Sequence, residues 1–276
     1  MTHPDPAAPN TIAFVGGGHM ARSLIGGLLT RGTDARLIHL AEPVAELRDA
    51  WQRDFGISIF VDAIDAVCDA GTWAFAVKPE VMRGVCESLA PQAQASKPLV
   101  VSIAAGITAA QLERWLGGDV AVVRAMPNTP ALLGAGVFAN AQVDATGRDA
   151  AQQLLSSAGQ TVWIDDEAKM DAVTAVSGSG PAYVFLLAQA MEDAARAEGL
   201  PDAAARTLVL QTVLGAARML TEANEAPAEL RRRVTSPGGT TQAAIDTFEA
   251  NGFRDIVAKA IRKATECGRL LSAAND

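Results

Sequence analysis

Two glycine-rich segments hold most of the chemistry legible in this chain. They are Gly16-Gly17-Gly18-His19-Met20-Ala21 near the start and Ser236-Pro237-Gly238-Gly239-Thr240-Thr241 near the end. Each precedes a run with helical spacing, so each opens a helix at glycine. The first turn of a helix carries N–H groups without intrahelical partners at the positive end of the dipole, which makes an anion site without any Lys or Arg. Gly16–Ala21 reads G-x-G-x-x-A, directly after the apolar run Thr11–Val15 and before a helical stretch, Met20–Arg31. In that setting the first glycine permits the tight turn, Gly18 lets a pyrophosphate approach the backbone, and Ala21 lets helix and sheet pack closely. The expected chemistry is dinucleotide binding, with the diphosphate on Gly16 through Met20. His19 either contacts a cofactor phosphate or is a plain polar helix-start residue. The Gly238–Thr241 segment suits a carboxylate, with an ordinary helix cap as the alternative reading.

Further candidates stand where β-rich runs stop. Glu42, in Leu40-Ala41-Glu42-Pro43, follows a second strand and is placed to read the adenosine ribose, since the fingerprint expects an acid about 20 residues on. A carboxylate there accepts hydrogen bonds from the 2′-OH of NADH and repels the 2′-phosphate of NADPH, which gives a weak preference for NADH. Arg36 and Arg48 lie close enough in sequence to keep a phosphate partner open. Val77 and Lys78 end another strand, and Lys78 is placed to face the cofactor. Ser102-Ile103-Ala104-Ala105-Gly106 offers small residues that leave room for a flat ring. Ala125-Met126-Pro127-Asn128-Thr129-Pro130 is a loop stiffened by two prolines.

The elements that must position these residues fall into two halves. Short β-rich runs at Thr11–Val15, Arg36–Leu40, Ile57–Val61, Thr72–Val77, Leu99–Ile103 and Val120–Arg124 alternate with helical stretches such as Val44–Phe55. That is the pattern of a doubly wound, mostly parallel α/β sheet, with right-handed crossovers. After about Asp165 the spacing is helical almost throughout: Tyr183–Glu198, Pro201–Thr221, Ala226–Val234, Thr241–Asn251 and Arg254–Ser272. The expected organisation is a leader over residues 1–10, a Rossmann-like dinucleotide-binding domain over 11–165, and an all-α domain over 166–276. The helical half is thin in large apolar residues, so packing against the Rossmann-like half or against a second subunit is expected to complete it, with a dimer favoured. Ser177–Ser179 reads as a helix break whose serines bond backbone.

Composition excludes several classes. A formal charge of −8 opposes a nucleic-acid backbone partner, which needs a basic stripe. Neither a signal-peptide layout nor an apolar run of membrane-spanning length is present. Cys68, Cys86 and Cys267 are odd in number and far apart, and His3, His19 and His39 are dispersed. The expectation is free thiols in a reducing cytoplasm and no metal.

Val176-Ser177-Gly178-Ser179-Gly180-Pro181-Ala182-Tyr183 and Val234-Thr235-Ser236-Pro237-Gly238-Gly239-Thr240-Thr241, together with the IAFVGGG, AVKP, VSIAAGIT and RAMPNTPALL stretches, make the chain resemble the pyrroline-5-carboxylate reductase family from about Thr11 to Leu271. The resemblance implies an oxidoreductase of proline biosynthesis that moves hydride from NADPH or NADH to the imine carbon of Δ1-pyrroline-5-carboxylate. It implies a Rossmann-like domain, a helical domain that interlocks with a partner as a homodimer, and rings such as a pentamer of dimers. The site would lie between domains and include the partner's helices. Val77, Lys78 and Ala105 would line the cofactor groove. Amides of Ser236, Gly238, Gly239 and Thr240 would hold the substrate carboxylate, and Thr241 would reach the ring nitrogen or the carboxylate. Glu167 matches a position that meets the substrate amine. Lys78 would act in catalysis or only touch the cofactor. His19 in place of the usual Asn or Gln, and Glu42 in place of a small or phosphate-tolerant residue, depart from the pattern. The rival readings are a β-hydroxyacid-type dehydrogenase, which needs a catalytic lysine where only Lys169 stands, and a non-catalytic dinucleotide-binding module.

Overall fold

The computed structural model describes residues 11–127, 135–157 and 159–275. The expected leader and the loop residues Asn128, Thr129 and Pro130 lie outside them, and Ala125, Met126 and Pro127, expected in that loop, instead continue the preceding strand, where they pair with Val137, Gly136 and Ala135. The chain forms two units, residues 1–179 with 264–276, and residues 180–263.

In the first unit one sheet runs β3-β2-β1-β4-β5-β6-β7-β8. Its strands are β1 (Ile12–Val15), β2 (Ile38–Ala41), β3 (Ser58–Phe60), β4 (Thr72–Phe75), β5 (Leu99–Ser102), β6 (Ala121–Pro127), β7 (Ala135–Ala139) and β8 (Thr161–Trp163). Strands β1 to β6 are parallel to their neighbours, and β7 turns antiparallel against β6. The helices are α1 (His19–Thr30), α2 (Ala45–Phe55), α3 (Ala63–Val67), α4 (Pro79–Ser96), α5 (Ala109–Trp115), α6 (Ala145–Ser156) and α7 (Met170–Val173).

Both faces of the sheet are covered, which explains why β1 reads as an unbroken apolar run. Phe14 packs with Leu24, Ile25 and Leu28 of α1 and with Trp51 of α2. Ala13 and Val15 face the opposite layer, with Met82, Cys86 and Leu89 of α4. Val15 is paired with Ala41 on one side and Phe75 on the other, and Phe75 with Ser102. The carboxyl ends of β1, β2, β4 and β5 therefore stop level. The order reverses between β1 and β4, so the crevice that takes ligands in open α/β sheets opens there.

The structure adds to the sequence reading at three points. Strand β2 begins at Ile38 rather than Arg36, because the Asp34 carboxylate accepts from the Arg36 amide and closes a 3-10 turn over Ala35–Leu37. Strands β7 and β8 and helices α3, α5 and α6 extend the alternation; β7 is built largely of Ala and Gly, and β8 has three residues, too short for periodicity. The change of composition near Asp165 is not where the packing changes. Met170, Asp171 and Ala175 are buried with the sheet unit. A side chain on Gly136 of β7 would meet Val173, and one on Gly178 would meet Met126 of β6. Residues Thr174–Gly178 form one π turn, in which the Ser179 amide donates to the Thr174 carbonyl at 2.8 Å. That is the physical form of the expected helix break. The end of the chain also packs in this unit: Gln111 Nε2 donates to the Ser272 carbonyl and Asn275 Nδ2 to the Gly106 carbonyl, each at 3.0 Å.

The second unit consists of α8 (Gly180–Ala197), α9 (Asp202–Glu222), α10 (Pro227–Arg233), α11 (Thr240–Ala250) and the first part of α12 (Phe253–Ala274). Among its described residues only Ala205, Val209 and Leu230 are buried apolar side chains. Phe185, Leu186, Leu208, Leu214, Phe248 and Ile256 are exposed. A soluble chain rarely leaves such a surface to water.

Candidate active site

Gly16 sits at φ +100°, and a Cβ there would stand 2.9 Å from both the Ala76 carbonyl oxygen and Val77 Cγ1. Only glycine meets both conditions, a left-handed backbone and direct contact with the end of β4. Its amide donates to the Ala41 carbonyl at 3.0 Å, which ties the turn to β2. Gly18 is the N-cap of α1, with no side-chain cap and no acid in the first turn. A Cβ on Gly18 would have only the Ala76 oxygen nearby, at 4.0 Å. Among the described residues the start of α1 thus has no side-chain cap and is open at Gly18, and these residues fit a dinucleotide diphosphate. His19 is exposed at the first position of α1 and Met20 is half-buried.

Behind the loop, Glu42 is 6% exposed. Its Oε2 accepts from the Gly17 amide and its Oε1 from the Val44 amide, both at 3.0 Å. Trp51, buried on α2, donates from Nε1 to the Gly17 carbonyl at 3.3 Å. A Cβ on Gly17 would lie 2.7 Å from that Nε1 and 2.8 Å from Glu42 Oε2. Glu42 therefore occupies the expected place at the end of β2, with its carboxylate engaged in holding the loop. Arg22 of α1 pairs with Asp54 and lies over the rings of Trp51 and Phe55. Arg36 stands before β2, at the far end from the crevice. It is bound to Asp34, whose carboxyl it holds down at about 2.

At the neighbouring strand ends, Lys78 is the exposed N-cap of α4, fixed by Pro79 at the first helical position. Val77 is half-buried against Gly16. Ala105 is exposed, beside the buried Gly106 at φ +70°. Glu167 is drawn into a buried ion cluster. Its Oε1 accepts from the Ala109 amide at 2.6 Å, at the start of α5, and from Arg124 Nη1 at 3.3 Å. Arg124 Nη2 also reaches Asp171 Oδ1 at 3.5 Å. Sequence reading missed Arg124 and Asp171, although a signal existed. An arginine in the otherwise apolar run Val120–Arg124 needs carboxylate partners once buried. Lys169 is exposed in the 3-10 turn Glu167–Lys169.

In the second unit Gly239 is the N-cap of α11, without a side-chain cap or an acid in the first turn. Gly238 takes φ +72°, and the Gly239 amide turns back to the Ser236 carbonyl at 3.0 Å. Ser236 and Thr240 are exposed. Thr241 is half-buried, and its hydroxyl has no hydrogen-bond partner among the described residues. Thr207, Thr212 and Thr247 instead bond a carbonyl one turn back. An open helix start beside a free hydroxyl can take a carboxylate and one further polar atom. Among the described residues no His/Cys/Asp/Glu group has a metal-binding arrangement, and no helix is long and apolar enough to cross a membrane.

Residues 167–271 match the family model for pyrroline-5-carboxylate reductase dimerisation, and residues 11–106 match that for NADP oxidoreductase, coenzyme F420-dependent. The chain is 54% identical over 260 residues to a pyrroline-5-carboxylate reductase of Pseudomonas aeruginosa, covering 92% of this chain and 94% of the relative. A solved pyrroline-5-carboxylate reductase from Coxiella burnetii superposes with a TM-score of 0.92 at 38% identity, covering 95% of this chain and 98% of the other. The Plasmodium falciparum enzyme, solved with NADP bound, gives 0.83 at 26% identity over 95% and 98%. The chain belongs to the pyrroline-5-carboxylate reductase family.

Proposed function

We propose that this chain reduces the C=N bond of Δ1-pyrroline-5-carboxylate to give L-proline, the closing step of proline biosynthesis. The nicotinamide cofactor, when bound, supplies the hydride that the imine carbon accepts. The Gly16–Met20 turn and the first amides of α1 hold its diphosphate, and Val77, Lys78 and Ala105 line the groove at the strand ends. The amides of Ser236, Gly238 and Thr240 receive the substrate carboxylate, while that of Gly239 is held by the Ser236 carbonyl. The Thr241 hydroxyl accepts from the protonated ring nitrogen or donates to the carboxylate and so fixes the imine. A protonated imine accepts hydride readily, so the protein's work is orientation and charge complementarity rather than strong base catalysis. Lys78 contacts cofactor phosphate or ribose in this reading. Glu167 meets the substrate amine if it leaves the Arg124 cluster.

The observation that carries this reading is the open start of α11, where Gly239 brings no side-chain cap and the Thr241 hydroxyl makes no helical bond. A non-catalytic dinucleotide-binding module has no need of such a second anion site. The family's dimerisation segment and the exposed apolar helices support a homodimer, and rings of five dimers are the proposed assembly. Free Cys68, Cys86 and Cys267 suit the reducing cytoplasm.

The test is Thr241→Ala. Loss of one hydrogen bond to a charged or charge-developing group lowers turnover about tenfold to a hundredfold. Nucleotide affinity, measured by fluorescence titration, stays within about twofold. Unchanged turnover removes Thr241 from the mechanism.

A further inference from the structure

Beyond the level end of β2 the chain continues as Glu42-Pro43-Val44, beside the glycine loop. If the diphosphate rests on α1 as proposed above, on which the present inference depends, the 2′ position of the adenosine ribose falls here. The carboxylate at this corner is turned under Gly17, with one oxygen on the Gly17 amide and the other on the Val44 amide. The cation at this corner is Arg48, in the first turns of α2. Its Nη1 donates to the Glu42 carbonyl at 2.9 Å and to the Pro43 carbonyl at 2.7 Å. Those two main-chain oxygens pin the guanidinium to the corner through one nitrogen. Among the described residues Nε and Nη2 have no partner and Arg48 makes no ion pair, unlike Arg22 with Asp54 and Arg36 with Asp34. Its neighbours one helical turn away, Val44, Ala45, Trp51 and Gln52, include no carboxylate. Glu46 and Asp49, at spacings of two and one, do not share its face.

We propose that Arg48 is the specificity-determining residue of the nucleotide site. Its unpaired guanidinium edge takes the 2′-phosphate, and the chain therefore prefers NADPH to NADH. A planar fork held in place by the main chain loses little freedom on binding, and it matches phosphate oxygens in pairs. This reverses the preference suggested by Glu42 in the sequence, because both carboxylate oxygens that would accept from the 2′-OH are turned onto the Gly17 and Val44 amides.

Adenosine 2′,5′-bisphosphate and 5′-AMP serve as probes, titrated calorimetrically into the full-length wild type, Arg48→Gln and Arg48→Lys. The Gln variant should bind the bisphosphate at least about tenfold more weakly, with 5′-AMP changed no more than about twofold. The NADPH/NADH ratio of kcat/KM should fall by a similar factor, through KM. Lys should lie between, since it keeps the charge and loses the fork. Equal weakening of both probes would reduce Arg48 to a brace for the loop, and no change in either would remove it from the site; each overturns the proposal. Should the Gln variant fail to fold, the Lys variant decides by the same criterion, a larger loss for the bisphosphate than for 5′-AMP. A wild type that binds 5′-AMP and NADH but does not favour the bisphosphate contradicts Arg48 alone. One that binds none of them contradicts the nucleotide site itself.

Discussion

In Glu42→Ala the amides of Gly17 and Val44 lose the carboxylate that accepts from both at 3.0 Å. Val44 is exposed, so water takes its place there at small cost. Gly17 is half-buried against Trp51, and its amide is left poorly satisfied. A hydrogen bond to a charged group contributes about 1.5–3 kcal/mol, and an orphaned buried donor costs about 1–3 kcal/mol. Removing a side chain that is 6% exposed also leaves a void beneath the loop. Together these place the loss of stability at about 2–4 kcal/mol. Glu42→Gln keeps one accepting oxygen and turns an NH2 toward the other amide, so it should lose about half of that. The assay is urea unfolding followed by tryptophan fluorescence, at fixed protomer concentration because the proposed homodimer would tie stability to it. Trp51 reports directly, since it bonds the Gly17 carbonyl. A carboxylate that only reads a ribose from the surface would change stability by less than about 0.5 kcal/mol. An Ala variant that unfolds within that margin of the wild type refutes the loop-holding role.

Glu167→Gln keeps an acceptor for the Ala109 amide but removes a charge from buried Arg124, leaving Asp171 at 3.5 Å as its carboxylate. Stability should fall by about 1–3 kcal/mol, read by the same urea titration. A raised KM for the imine with unchanged stability would show that Glu167 serves substrate rather than the cluster. Burial pushes the Cys86 thiol up to about 12, so it should resist thiol reagents in the native protein while exposed Cys68 reacts. The sign of its linkage follows: between the unfolded thiol pKa near 9 and about 12 the unfolded state holds fewer protons, so stability falls as pH rises. Cys86→Val should flatten that slope by up to about 1.4 kcal/mol per pH unit, and an unchanged slope would contradict the burial of the thiol. Gly16→Ala should weaken NADH binding at least about tenfold, because the added methyl meets the Ala76 carbonyl at a positive φ; unaltered titration would show that the turn does not form the site.

The glycine turn, the strand-helix alternation and the helical end of the chain were legible because each rests on local chemistry: a φ that only glycine takes, or one apolar face repeated. What stayed hidden depends on distant partners. Glu42 stands at the position its spacing indicated, yet the sequence could not show that the Gly17 and Val44 amides would claim both its oxygens. Arg48 looked no different from Arg36 until one was pinned at the crevice end of β2 and the other paired with Asp34 before the strand began. Composition placed the boundary near Asp165, whereas packing carries residues 166–179 and the last turns of α12 with the sheet, through contacts such as Gly178 with Met126 and Asn275 with Gly106. Strands β7 and β8 gain their form from pairing across the sheet rather than from any pattern of their own.

The most direct test is loss of nicotinamide absorbance on adding Δ1-pyrroline-5-carboxylate, run in parallel with NADPH and NADH and checked by assay of proline formed. Saturable turnover, one proline for each reduced cofactor consumed and faster at low concentration with NADPH, is the result expected. Folded protein that binds the nucleotide and produces no proline with either cofactor would contradict the proposed reaction.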